Sequence, residues 1–139
     1  MLVKIYANAL YAYDKKIGGW GTVLVYGEHV KELSGIVKDG SQYFACLTAI
    51  IEGLKCLKKD GLDIQIYCFS TSVVSPFHHL GSFLKKKKNS LNADVWRAIA
   101  EFAQKNSVEA FWLQKDSEDP YHQRTIELAK QYRIFNCTK

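Results

Sequence analysis

The chain has 139 residues, the length of one compact domain that can bury its own core. Its 19 Lys and Arg against 14 Asp and Glu give a formal net charge of +5, which favours anionic partners such as nucleic acid. The widely spaced cysteines contain no CxxC pair, which argues against a zinc knuckle or redox motif and predicts reduced thiols. Without a long apolar run or an apolar N-terminal segment, we expect a soluble, cytoplasmic protein.

Three strand patterns open the chain. The strings "LVKIYANA", "WGTVLVYG" and "HVKELSGIVK" show alternation or β-branched residues, with glycines nearby. Because they follow one another at short spacing, they predict an antiparallel meander of three strands.

A helical pattern follows, and its apolar residues recur at the spacing of one helix face: Leu47, Ile50, Ile51, Leu54 and Leu57. Gly61 ends this segment. The string "DIQIYCF" then predicts a buried strand, "STSVVS" a short helix that Pro76 ends, and "LKKKKNS" a basic exposed connection.

The rest of the chain predicts an amphipathic helix from Asp94 to about Lys105, a fifth strand at "SVEAFWLQ" and a last helix that begins at Pro120. The resulting order is β-β-β-α-β-α-α-β-α. We see neither an internal repeat nor a linker, so the pattern predicts a single domain over residues 1–139.

Asn8, in the string "IYANAL", is the first candidate functional residue. It lies near the end of a strand pattern, where polar side chains are often functional. An amide, however, is a poor acid, a poor base and a weak metal ligand. Its position alone therefore leaves its role open.

Five strings in this order resemble the type 1 ribonuclease H family over essentially the whole chain. They are "IYANAL" with "GGWGTVLVY", "FACLTAIIEGLKCLK", "IYCFSTSVV", "NADVWRAIAEF" with "VEAFWLQ", and "DPYHQRTIELAK". The resemblance implies an α/β ribonuclease H-like fold, with a five-stranded mixed sheet of three antiparallel and then two parallel strands, flanked by helices. It also implies a family chemistry in which clustered carboxylates hold two divalent cations for phosphodiester cleavage.

The four carboxylate positions of that family carry other residues in this chain. By the resemblance, the strand-one Asp falls on Asn8, the helix Glu on Cys46, the strand-four Asp on Phe69 and the last-helix Asp on Ile126. The family's flexible-loop His falls near Asp116. Because Mg²⁺ prefers charged oxygen ligands, we expect no catalytic residue, no metal site and no cofactor, and Phe69 and Ile126 are expected to pack together.

The resemblance also implies a nucleic-acid interface. Bacterial members insert a basic helix and loop that grips the hybrid duplex at the position of Lys85, Lys86, Lys87 and Lys88. Arg97 flanks this run, and Gln42 and Tyr43 fall where two asparagines of the family contact the hybrid. Lysines contact phosphates without reading bases, and a solvated charge run fits the sequence equally well.

Three hypotheses for function follow. The first is a catalytically inactive ribonuclease H-like domain, not an enzyme, that serves as a structural module or binds an RNA/DNA hybrid or duplex. The alternative is a protein–protein scaffold, like the connection domains associated with reverse transcriptases. The third is a ribonuclease H with a rearranged active site.

Other candidate residues favour structural roles. Cys46 is expected to be a buried inert thiol, and Cys68 to point away from it, because neighbouring strand residues face opposite sides. The histidines are isolated or directly adjacent, so we expect no metal role for them. Asp119 can cap the helix that Pro120 begins, and the other loop acids are expected to be solvated. Core packing is expected for all three tryptophans: Trp20, Trp96 and Trp112.

Overall fold

The computed structural model describes residues 1–86 and 92–137, with side chains described up to residue 131. The predicted phosphate contacts of Lys87 and Lys88 lie outside the described residues.

One mixed sheet forms the centre of the fold. Its strands are β1 Leu2–Ala12, β2 Ile17–Tyr26, β3 His29–Lys38, β4 Asp63–Cys68 and β5 Ser107–Trp112. They lie in the order β3-β2-β1-β4-β5. The pairs β1·β2 and β2·β3 are antiparallel, whereas β1·β4 and β4·β5 are parallel. The predicted α/β class with a five-stranded mixed sheet is confirmed.

Helices cover both faces of this sheet. They are α1 Gln42–Lys55, α2 Thr71–Val74, α3 Leu80–Lys86, α4 Ala93–Lys105 and α5 Pro120–Cys137, with a 3-10 turn at Ser75–His79 between α2 and α3. The main hydrophobic core joins one face of the sheet to α1, α2 and α4. Helix α5 packs on the other face, against β1 and β2.

Two boundaries differ from the sequence prediction. Helix α1 begins at Gln42, ahead of the apolar pattern, because the Ser41 hydroxyl accepts from the main-chain N–H of Phe44 at 3.0 Å and caps the helix. Helix α2 ends at Val74, before Pro76 as predicted, but a 3-10 turn follows directly, since Pro76 lies at its start, where a missing N–H costs little. Lys85 and Lys86 consequently lie in the last turn of α3 and not in a loop.

Two glycines allow helices to lie unusually close to the sheet. A Cβ atom at Gly53 of α1 would be 2.9 Å from the Thr22 methyl group. A Cβ atom at Gly21 of β2 would collide with the main chain of Thr125 in α5. Since Gly21 pairs directly with Asn8, this second close approach brings α5 to the side chain of Asn8.

Candidate active site

Asn8 lies inside β1, fully buried, and its amide joins three elements. Its Oδ1 accepts from the main-chain N–H of Phe69 at 2.8 Å, at the end of β4. Its Nδ2 donates to the Thr125 hydroxyl of α5 at 2.8 Å and lies 3.3 Å from Nδ1 of His122. These contacts tie β1, the end of β4 and α5 together.

The contacts of Asn8 also fix the tautomer of His122. A main-chain N–H can only donate, so the amide atom of Asn8 that faces the Phe69 N–H must be the oxygen, Oδ1. The amide nitrogen of Asn8, Nδ2, therefore points towards α5. Because an amide nitrogen also only donates, Nδ1 of His122 must accept, and the neutral ring carries its proton on Nε2. The Thr125 hydroxyl in turn donates to the carbonyl of His122 at 2.6 Å.

His122 is fully buried, and its Nε2 has no hydrogen-bond partner within the described part of the chain. Burial lowers the pKa of His122, and this effect outweighs the main-chain groups of Lys115 and Gln114 and the charge of Asp119, which favour the protonated ring. His122 is therefore neutral at physiological pH, and its buried Nε2–H is unpaired among the residues that the structure describes.

Three of the four residues that the resemblance places at carboxylate positions lie in one cluster: Asn8, Phe69 and Ile126. Phe69 bonds to Asn8 through its main chain, and its ring packs against the apolar group formed by Leu10, Ile126 and Ala129. The predicted packing of Phe69 and Ile126 is thus present. The rings of Phe69 and His122 meet edge to face, with centroids 6.3 Å apart.

Cys46, at the fourth position, belongs to the core on the α1 side of the sheet. Its thiol hydrogen-bonds with Cys68, and that bond together with burial raises the pKa of Cys46 well above its usual value. The expectation that Cys68 points away from Cys46 is wrong, because β4 turns Cys68 towards α1 and into the same core. Both are free, buried thiols.

These four side chains do not fit a Mg²⁺ ion. They offer one amide oxygen, already bonded to the Phe69 N–H, together with a thiol, an aromatic ring and an alkyl group. Mg²⁺ requires oxygen ligands in near-octahedral geometry. Within residues 1–86 and 92–131, no group of three or more His, Cys, Asp or Glu side chains is arranged to hold a metal.

Asp119 caps the start of α5, as predicted. Its Oδ1 accepts from the main-chain N–H groups of Tyr121 at 2.9 Å and His122 at 3.2 Å. Its Oδ2 accepts from the Tyr6 hydroxyl at 3.4 Å. Burial, followed by the charge of Asp119, raises the pKa of Tyr6 to about 12. This carboxylate thus orders the turn that presents His122 to Asn8.

The side-chain amide of Gln42 forms hydrogen bonds within the protein. Its Nε2 donates to the carbonyl of Ala9 at 2.6 Å, and its Oε1 accepts from the main-chain N–H of Tyr11 at 2.8 Å. Both polar atoms of the amide therefore bond to β1. The side chain fixes the start of α1 on the sheet beside Asn8.

Trp96 links the helices that carry the other predicted binding residues. Its indole N–H donates to the Tyr43 hydroxyl at 2.9 Å, and its ring lies against Phe83 of α3, with centroids 4.8 Å apart. The neighbouring Arg97 is exposed and forms an ion pair with Asp94. Lys85 and Lys86 are exposed at the end of α3. Trp96 thereby connects the elements that carry these residues.

Sequence reasoning missed Thr125 and His122, the partners of Asn8. The available signal was their spacing of three residues, which places both on one face of the last helix. It also misplaced Trp112, which is 47% exposed and not in the core. Trp112 lies on an edge strand, and its indole N–H donates to the Phe69 carbonyl at 2.9 Å.

Among the described residues, no helix combines the length and apolar character needed to cross a membrane.

Comparisons with known proteins give a consistent family. A Ribonuclease H of Syntrophomonas wolfei is 31% identical over 134 residues, which cover 91% of this chain and 92% of that protein. A Ribonuclease H of Chlorobium luteolum is 33% identical over 137 residues, 93% of each chain. A crystal structure of LC9-RNase H1, described as a type 1 RNase H with the type 2 active-site motif, matches with a TM-score of 0.78 and 14% identity, over 94% of this chain and 71% of its own. No protein-family model matches.

These relatives contradict two predictions made from the sequence. We predicted an inactive module that is not an enzyme, whereas relatives aligned along nearly their full length carry the name of an enzyme, Ribonuclease H. The prediction that no cofactor is needed is contradicted for the same reason, since divalent cations belong to the chemistry of this family. The relatives compared give no support to an association with reverse transcriptases or to a protein partner.

Sequence identity shows the relationship to these ribonucleases H, and the order of the strands in the sheet agrees with it. Identity of 33% extends over 93% of both chains in one relative. The chain belongs to the ribonuclease H family.

Proposed function

We propose that this chain acts on RNA/DNA hybrids as a ribonuclease H and hydrolyses the RNA strand. The alignment with the Chlorobium luteolum relative over 93% of both chains carries the proposal. A shared fold alone would not carry it, because one fold hosts many functions.

The proposed hybrid surface lies where α1, α3 and α4 meet. Lys85 and Lys86 are exposed there, and we include Lys87 and Lys88, which follow them in the chain. Arg97 would exchange its ion pair with the exposed Asp94 for a phosphate oxygen. These cations would hold the backbone of the duplex without selecting bases.

Gln42 and Tyr43 have positioning roles in this proposal. Since the amide of Gln42 is bonded to Ala9 and Tyr11, it would hold the start of α1 in place and not contact a base. Tyr43 is oriented by the indole of Trp96 and would present its ring edge beside the hybrid. Because the side chains at Asn8, Cys46, Phe69 and Ile126 do not fit Mg²⁺, binding and hydrolysis need separate tests.

Fluorescence anisotropy with a labelled hybrid tests binding. Contact with three or four phosphates predicts a slope of about −3 for log K against log salt concentration. A variant with Lys85, Lys86, Lys87 and Lys88 changed to Gln is expected to bind more weakly and with a shallower slope. A control variant with the same net charge changes Lys15, Lys16, Lys38 and Lys130 to Gln and is expected to keep the native slope. Equal losses in both variants would contradict the proposed surface.

A hybrid labelled on its RNA strand tests hydrolysis in the presence of Mg²⁺ or Mn²⁺. The expected result is shortened RNA with the DNA strand intact. Contaminating nuclease is controlled by purifying the Lys85–Lys88 variant in parallel, because a contaminant would act equally in both preparations. RNA that stays intact while the chain is bound would refute hydrolysis and leave hybrid binding in place.

A further inference from the structure

A groove of about 380 Å³ opens at the end of the sheet opposite Asn8. It lies where β1 and β4 begin, where β2 ends and where the chain leaves α1. Val3, Leu24 and Leu62 form its buried floor, with exposures of 2%, 1% and 7%. The half-buried Leu57 and Tyr26 form walls, so the interior is largely apolar.

The rim of this groove is basic. Lys31 reaches it from β3, and Lys58 and Lys59 reach it from the segment after α1; all three are exposed. Within the described residues, no Asp or Glu side chain lines the groove. Three like charges at the mouth of an apolar cleft create a positive potential with no lining carboxylate to neutralise it.

We propose that this groove binds a small organic anion with an apolar body and one carboxylate or sulfonate head group. The apolar body would cover Val3, Leu24 and Leu62, and the flexible lysines would approach the head group as point charges. The volume falls within the range of about 300–1,000 Å³ that small-molecule sites occupy. A neutral ligand would use the floor but leave the lysines unpaired, so the charge pattern selects an anion.

The groove is separate from the proposed hybrid surface. It is also separate from the candidate active site, because Val3 and Asn8 are five residues apart on β1, which corresponds to about 16 Å along the strand. None of the groove-lining residues is among those proposed to contact the hybrid. Anion binding can therefore fail while hybrid binding succeeds, and the reverse.

A titration with 1-anilinonaphthalene-8-sulfonate tests the proposal, because this fluorophore combines fused apolar rings with one sulfonate. N-phenyl-1-naphthylamine is the matched neutral probe. A variant that changes Lys31, Lys58 and Lys59 to Gln is compared with a charge-matched control that changes Lys38, Lys105 and Lys130 to Gln. Near-UV circular dichroism establishes that each variant keeps native packing.

We expect saturable binding of one sulfonate probe per chain. The groove variant is expected to bind it about tenfold more weakly, equivalent to about 1.4 kcal/mol, while the control matches the native chain. The neutral probe is expected to bind all three proteins equally. Equal sulfonate affinity in the two variants would overturn the proposal.

Cys56 gives an independent test, because it lines the groove and is half-buried, whereas Cys46 and Cys68 are fully buried. In a Cys137→Ser background, alkylation of Cys56 by N-ethylmaleimide, verified by mass, is expected to block sulfonate binding. Unchanged binding after alkylation would overturn the proposal.

The oligomeric state gives one further outcome. Dimerisation that the groove substitutions abolish would assign the groove to a second copy of the chain and would overturn the proposal as well.

Discussion

Replacing Asn8 with Asp is expected to change the sign of the pH dependence of stability. In the native chain, burial lowers the pKa of His122, so between the folded pKa and the unfolded value of about 6.5 the unfolded state binds more protons. Stability therefore rises with pH across that interval. An introduced carboxyl group would be buried beside Nδ1 of His122 and would have its pKa raised. The folded variant then keeps a proton, on the carboxyl group or on His122, above the pH at which the unfolded chain has lost it.

Asn8→Ala provides the non-titrating control. It leaves the Phe69 N–H and Nδ1 of His122 without their partner. At about 1–3 kcal/mol for each of these two unsatisfied buried groups, the expected loss in the free energy of unfolding is about 2–6 kcal/mol. The Ala variant keeps the buried neutral His122, so its stability is expected to follow the native pH trend at a lower level.

Urea unfolding of the three proteins at pH 5.0, 6.5 and 8.0 measures these effects. The native chain and Asn8→Ala are expected to gain stability as pH rises to about 6.5, with a slope of at most about 1.4 kcal/mol per pH unit. Asn8→Asp is expected to lose stability relative to Asn8→Ala as pH rises. Parallel pH profiles of the two variants, or an Ala variant as stable as the native chain, would refute this account of the network.

Three further substitutions test the fold around the site. Gly21→Ala is expected to cost about 1–3 kcal/mol by overpacking, because α5 leaves no space for a methyl group, and native stability in thermal unfolding would contradict the close approach. His122→Gln is expected to flatten the rise in stability between about pH 5 and 6.5, and an unchanged urea profile would exclude His122 as its source. Ser41→Ala is expected to cost about 1 kcal/mol by loss of the α1 cap, with Ser41→Asp as the conservative control that retains the native denaturation midpoint.

The fold was largely predictable because its signals are local. Alternation in "LVKIYANA" and the helical spacing from Leu47 to Leu57 each report which side of an element is buried, and these patterns agreed with the sheet that formed. Helix α2 ends before Pro76 as predicted, but the 3-10 turn that contains Pro76 was missed, because a proline is harmless at the start of a turn and harmful inside a helix. The sequence does not say which of these positions a proline occupies.

The site was less predictable because it depends on contacts between distant segments. Asn8 and Thr125 are 117 residues apart, and their hydrogen bond forms because Gly21 admits α5 to the sheet. Reasoning from the four substituted positions led to the prediction of an inactive module, which the named relatives contradict. The residue type at one position that a resemblance assigns says less about function than an alignment along the whole chain.

The indole of Trp112 provides an optical reporter at this end of the sheet. It is 47% exposed, while Trp20 and Trp96 are 8% and 0% exposed, so its emission is the most accessible to aqueous quenchers such as iodide. Its N–H is bonded to the carbonyl of Phe69, the residue whose main-chain N–H orients Asn8. Intrinsic fluorescence and its quenching can thus follow events beside Asn8 without any attached label.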